Sequence, residues 1–433
     1  MRPALPRAEF TLIFLVLLVI AAGNTALQSV LPALGRALHL PDLAVAMFFS
    51  LSAVVWTVSA PYWARRSDRE GRKRVILIGL SGFVIATLAG GAIIIVGQRG
   101  ALGAFLFILA LAVSRGVFGL FGSATMPASQ AYVAAHTSRA ERTSALAQLA
   151  AAFGLGTILG PALAPFFVLP GVRLAGPLFF FAAVGLAVLL FVRARLPDDG
   201  LRAPDDATGS PAAMPSIGGA PSGASEANAA AGSPPRLNWR DPRIRPWMIF
   251  GALSANAQAA ASQSLGFLVI DRLQMDPEAA QRFIGLALMA GAGAALLAQW
   301  GLINTFAMTP RALIRWGAAA SSAGLGLLAV ASDYHAIVVA YGLTGLGFGF
   351  TRPGYTAGPS LSVSADEQGA VAGAVTAVNG GAFILAPAIG IGLYQIAPHA
   401  PFLLSALLML ALLIFARLNP RLSADLDGTS PAT

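Results

Sequence analysis

The sequence predicts an all-α integral membrane protein, with twelve transmembrane helices arranged as two pseudo-symmetric six-helix bundles. Three observations predict it. Apolar residues fill 56% of the 433 positions and charged residues only 11%, less than half the roughly 25% usual in soluble domains. The apolar residues gather in runs of about 18 to 25, each long enough to cross roughly 30 Å of hydrocarbon as a helix. The second half of the chain also echoes the first at a fixed offset of 226 residues.

The first six spans fall at about 10–34, 43–64, 75–97, 101–126, 144–169 and 174–195. Tyr62-Trp63-Ala64 closes the second before the decapeptide Arg65–Arg74, which holds six of the 28 basic residues. So dense a cationic turn stays out of the bilayer and fixes the side on which it lies. The sixth span ends on Arg193 and Arg195. Residues 196–246 then break the pattern: rich in Pro, Gly, Ala and Ser and without an apolar face, they read as a disordered cytoplasmic linker. Six more spans follow, at about 247–270, 283–304, 313–331, 335–358, 370–396 and 400–417. The expected organisation is a first bundle at 1–195, the linker at 196–246, a second bundle at 247–417 and a cytoplasmic tail at 418–433.

Charge placement supports the even number of spans. With both termini cytoplasmic, that side carries 21 Arg and Lys and the opposite side five, namely Arg36, Arg99, Arg173, Arg272 and Arg282. This is the positive-inside bias, so the net charge of +9 reports topology rather than nucleic-acid binding. The expected location is a cell membrane, bacterial and inner. At the 226-residue offset Gly119 matches Gly345, Pro127 matches Pro353, Glu141 matches Glu367, Gly154 matches Gly380 and Pro161 matches Pro387. Repeated six-span halves belong to alternating-access transporters, which hold cargo near the midplane between the halves.

Three motifs carry a resemblance. The first is Ser67-Asp68-Arg69-Glu70-Gly71-Arg72-Lys73-Arg74, after the second span. The second is Arg115-Gly116-Val117-Phe118-Gly119 in the fourth. The third is Gly154-Leu155-Gly156-Thr157-Ile158-Leu159-Gly160-Pro161 in the fifth. With these the chain resembles the major facilitator superfamily, in particular its twelve-span drug:proton antiporter branch, over nearly everything outside the linker and tail. The resemblance implies the major facilitator fold, a small-molecule substrate, efflux and protons as coupling ion. It also implies that Asp68 closes the cytoplasmic side against the start of the eleventh helix, near Gly369-Ala370, with Arg69, Gly71 and Arg72 in the same gate. For Gly154, Gly156, Gly160 and Pro161 it implies control of leak or direction; packing chemistry alone lets the small residues bring helix backbones together. Glu141, Arg142 and Glu367 are further gate candidates, although acids at helix starts also suit the helix dipole.

Candidates for cargo binding follow from polarity inside spans. Arg115 and Arg352 are ionised residues well within apolar segments, and such residues are functional suspects by default. Asn24 and Gln28 stand four apart on one helical face of the first span. Asn256 and Gln263 in the seventh and Asn379 in the eleventh complete the set. The bland alternative for these amides is hydrogen bonding between helices. The two arginines favour a substrate with an anionic group, such as a carboxylate or siderophore-type metabolite; an uptake symporter is the third reading.

None of the 19 acids falls in the middle of a span, so proton coupling rests on the resemblance alone. Cysteine is absent and four His are scattered, which argues against a thiolate or clustered metal site. The sequence contains no G-x-x-x-x-G-K-[ST] motif for ATP and no cluster of catalytic residues. A transporter without cofactor, monomeric in its bilayer, is therefore expected in preference to an enzyme.

Overall fold

In the computed structural model, which describes residues 6–137, 139–198, 241–363 and 367–423, the first half forms six helices. They are α1 (Arg7–Ala37), α2 (Asp42–Glu70), α3 (Arg72–Gln98), α4 (Ala104–His136), α5 (Arg139–Leu163) and α6 (Gly176–Arg195). The second half forms α7 (Arg245–Leu273), α8 (Pro277–Leu296), α9 (Pro310–Val330), α10 (Tyr334–Leu361), α11 (Gln368–Ile396) and α12 (Ala400–Leu418). A widened π-type segment, Leu297–Leu302, extends α8 to Thr305. Local chemistry sets several starts. Asp276, Thr309 and Asp333 accept hydrogen bonds from the first free backbone N–H groups of α8, α9 and α10. Proline, whose missing N–H costs nothing there, opens α8 and α9.

Both described chain ends lie at one face of the bundle, called here the basic face because the Arg65–Arg74 cluster is also there; the opposite end is the far face. That cluster corrects one expectation. It is not a loop: α2 continues through Asp68 and Arg69 to Glu70, and α3 begins at Arg72. Gly71 alone makes the corner, with φ 96° and ψ 138°, a conformation that a side chain strongly disfavours. Glu70 holds the corner from both sides, through Arg66 at 2.7 Å and Arg74 at 3.6 Å. Gly71→Ala is expected to cost about 1–3 kcal/mol and to lower the melting temperature of the purified protein. An unchanged melting curve would contradict the corner's role.

The two halves repeat one packing scheme. In the first, α5 lies on α1 where Gly156 and Gly160 meet the backbone around Leu18, Ala21 and Ala22; a Cβ at either glycine would collide there. In the second, α11 lies on α7 where Ala386 and Gly390 meet Ala259 and Ala260. With no hydrophobic force to drive helices together in lipid, such small-residue seams let backbones approach.

The apolar core shows how the halves meet. One cluster unites them, and from the first half it recruits far-face residues such as Leu31, Leu34, Val45, Ile94, Phe107 and Leu174. A second cluster, around Leu17, Trp63, Ile76, Tyr132 and Val192, belongs to the first half alone and lies toward the basic face. The bundles therefore share a core at the far face and part toward the basic face. Cross-half contacts agree: Pro32 of α1 abuts Gly266 of α7, and the Pro161 carbonyl and Pro165 ring abut Gly285 of α8. The expected linker lies outside the described residues except at its ends, where Asp198 pairs with Lys73 at 3.4 Å.

Candidate functional site

Where the halves part, a cavity of about 330 Å³ lies between α1 and α5 on one side and α7, α8 and α10 on the other. Helical phase decides who faces it. Asn24, Thr25 and Gln28 of α1 share one face and line it, as the four-residue spacing of the two amides required. From α7 the wall takes Gln258 and Ser262, one turn apart. Asn256 is not on that wall, two positions round the helix from Gln258, and its side chain donates to the Ala252 carbonyl of its own helix at 2.8 Å. On α10 the stripe Tyr341, Thr344, Phe348 and Arg352 recurs every three to four residues, so one edge of the helix lines the cavity from end to end.

The α8 wall carries a feature that sequence reasoning missed. Gln299 and Trp300 lie in the π-type segment and both line the cavity, and Trp300 is also exposed on the protein's surface. Single π-turns tend to mark functional positions because they re-aim side chains within an otherwise regular helix. No local residue pattern announces one.

The two intramembrane arginines have separate fates. Arg352 lines the cavity. Arg115 is buried beside a small void next to Phe49, Trp56 and Gln263, outside the main cavity. Its guanidinium donates to Asn24 Oδ1 at 2.8 Å and stacks on Phe118 (4.5 Å) and Phe49 (5.6 Å). Asn24 thus touches both Arg115 and the cavity. Gln263 is buried beside the same small void, and from the second half it helps to close it.

Among the motif residues, Gly154 faces the cavity with open space where a Cβ would stand, Pro161 lines the cavity, and Gly156 and Gly160 make the α1 seam. Asp68 and Arg69 are exposed on the last turn of α2, with Arg72 among the charged neighbours of Asp68. Glu367 does not cap α11 with its side chain; it pairs at 2.7 Å with Arg243, at the linker's end just before α7. Arg243 also bonds Asp241, at 2.9 Å, and holds that carboxyl below the usual carboxylate range. Glu141 and Arg142 lie on the first turn of α5 and Asn379 within α11, and their side chains fall outside the described residues, as do those of Gly369 and Ala370.

At the far face the cavity is sealed by polar contacts that cross between the halves. Arg36 of α1 reaches Asp271 of α7 at 3.1 Å and Asp42 of α2 at 3.0 Å. Tyr394 of α11 donates to the same Asp271 oxygen at 2.7 Å, and Arg36 lies 5.5 Å from the Phe267 ring centroid. Gln281 of α8 donates to Ser29 at 3.2 Å, while Arg173 pairs with Glu278 at 2.8 Å. In sequence these residues looked like topology markers at helix ends. The pairing of Arg36 with Asp271 spans 235 positions, and only the fold brings them together.

Two halves, a sealed far face and a central cavity define a multi-pass transporter. The Major Facilitator Superfamily model matches residues 13–387, and the chain belongs to that family. It is 31% identical over 178 residues to multidrug resistance protein 2 of Bacillus subtilis (strain 168), a stretch covering 40% of this chain and 41% of that protein. It is 36% identical over 149 residues to the class D tetracycline resistance protein of Salmonella ordonez, covering 33% of this chain and 34% of that one. The matched stretches thus span well under half of these relatives. The fold is similar to that of the nucleoside transporter NupG, with a TM-score of 0.68 at 12% identity over 94% of this chain and 98% of that one. The protein is a transporter and not an enzyme.

Proposed function

We propose that this chain is an efflux antiporter that exports a small organic molecule from the cytoplasm by alternating access, in exchange for protons. The observation that carries the reading is the cavity sealed at the far face by contacts crossing the halves while the cores part toward the basic face. The positive-inside bias makes the basic face cytoplasmic, which puts both termini inside, leaves this state open to the cytoplasm and makes it ready to load cargo. The named relatives, drug and tetracycline resistance proteins, support export as the direction.

Asn24, Gln28, Gln258 and Arg352 are the proposed cargo contacts. Asp68 and Arg69, exposed in this state, are with the half-buried Arg72 the proposed cytoplasmic gate of the opposite state. Everted membrane vesicles test the reading. Acidifying their interior should drive accumulation of ethidium or tetracycline beyond that of vesicles lacking the protein, and nigericin should release it. Accumulation insensitive to nigericin would remove proton exchange. No excess of either compound would remove drug efflux.

A further inference from the structure

We infer that the small void beside Arg115 binds a monovalent inorganic anion the size of chloride, which neutralises the guanidinium and ties the two halves together. The binding site itself stands apart from the efflux reading. Arg115 of α4 is 6% exposed, and a guanidinium stays charged in a protein interior. Asn24 Oδ1 accepts from it at 2.8 Å, and the rings of Phe118 and Phe49 lie at 4.5 and 5.6 Å. An amide and two rings soften the charge but carry none to cancel it. Among the described residues none that lines the void is acidic. The far-face acids are already paired, Asp42 and Asp271 with Arg36 and Glu278 with Arg173.

The lining is rich in donors that lack an acceptor. Three of its residues each keep a buried N–H without a hydrogen-bond partner: Arg115 at Nε, Trp56 at Nε1 and Gln263 at Nε2. Trp56 and Gln263 are as deeply buried as Arg115, at 3% and 5%. The Ser52 hydroxyl on the same lining is turned onto the Phe48 and Arg115 carbonyls, at 2.9 and 3.2 Å. Buried donors are normally paired. Three unpaired ones around a single void, one of them on a cation, describe a place for an acceptor from outside the chain. Water accepts hydrogen bonds but leaves the charge in place; an anion accepts them and cancels it.

Size and position narrow the occupant. The void of about 20 Å³ admits one monatomic ion or one water and is too small for a carboxylate-bearing cargo. Asn24 and Gln28 line both the void and the main cavity, so a small ion reaches the site past two amides rather than through the apolar core. Asn24, Trp56 and Arg115 belong to the first half, whereas Gln263 comes from α7 of the second. Gln263 stands about two turns before Asp271, a member of the far-face contacts. An ion held between Arg115 and Gln263 therefore links the halves just inside the far face, and parting them there takes the site apart. By linkage, the bound ion favours the state in which the far face is sealed.

The test uses the purified full-length protein and compares sodium chloride and sodium bromide with sodium gluconate, whose anion is too large for the void, at equal sodium concentration. Chloride and bromide should raise the midpoint of thermal unfolding by about 2–4 °C along a saturating curve, and gluconate should not. No rise, or one that grows linearly and equally in all three salts, overturns the site and leaves the void to water. Gln263→Glu places a fixed carboxylate on the lining, so its melting should no longer respond to chloride. Arg115→Gln removes the charge and should lose the response too. A full chloride response in either folded variant overturns the site as well. The link between the halves is read separately, by far-side maleimide labelling of a single Gln258→Cys in this cysteine-free chain. Saturating chloride should slow that labelling about fivefold or more, and equal rates in chloride and gluconate overturn the link.

Discussion

Asp271→Asn is expected to open the far face. Arg36 is shared between Asp42, in its own half, and Asp271, in the other. Replacing Asp271 with Asn keeps the shape and one acceptor but removes the charge that ties the halves together. Arg36 keeps Asp42, so no charge is left stranded, and the loss falls on the cross-half link and on the Tyr394 hydrogen bond. The side chains of Arg36 and Asp271 are about one-third exposed, at 34% and 33%, so the ion pair alone is worth no more than about 1 kcal/mol. With the weakened Tyr394 hydrogen bond to the charged carboxylate the loss is about 1–2 kcal/mol, a fivefold to thirtyfold shift toward the far-open state. Arg36→Gln should shift it further, because Asp42 and Asp271 then face each other with no cation between them. The chain has no cysteine, so a single Gln258→Cys reports the change. Its labelling by a membrane-impermeant maleimide from the far side should accelerate fivefold to thirtyfold, whereas an unchanged rate would show that the ion pair is not a latch.

Gly160→Leu is expected to be the most damaging single change at the α1–α5 seam. A Cβ there runs into the Ala22 carbonyl and the Thr25 hydroxyl, and one at Gly156 runs into the Leu18 carbonyl. Backbone cannot rotate aside as a side chain can, so α5 must lift off α1. Overpacking typically costs about 1–3 kcal/mol, and a clash with fixed backbone lies at or beyond the upper end. Gly154→Ala is the internal control: its Cβ meets nothing and points into the cavity. Thermal unfolding of the purified variants should show a large loss for Gly160→Leu, a smaller one for Gly156→Ala and almost none for Gly154→Ala. Equal melting of all three would mean that the glycine run is not a packing seam.

How much of this was legible beforehand depended on whether the signal was local. Apolar runs, the 226-residue repeat and the Arg65–Arg74 cluster are read directly from composition and spacing. The amides Asn24 and Gln28 were placed by one turn of helical period. What failed was rotational phase and distance in sequence. Nothing in the chain says that Arg352 turns into the cavity while Arg115 turns onto Phe118, or that Asn256 points away while Gln258 points in. The helix running through Asp68 was hidden because nine polar residues around a glycine resemble a loop, when that one glycine at positive φ makes the whole corner. The far-face latch was invisible for a different reason: its members lie on four helices, and each alone is an ordinary charged or aromatic residue near a helix end.

The central claim is that transport requires the far face to open while the basic face closes. Locking the far face tests it most directly. Arg173 and Glu278 stand on opposite halves with their charged ends 2.8 Å apart. In the naturally cysteine-free chain, Arg173→Cys with Glu278→Cys can be bridged by a short, reducible bifunctional thiol reagent. The bridged protein should still admit reagents to Gln258→Cys from the basic face but carry no cargo across proteoliposome membranes, and reduction should restore transport. Transport at the unbridged rate with the bridge intact would contradict alternating access in this protein.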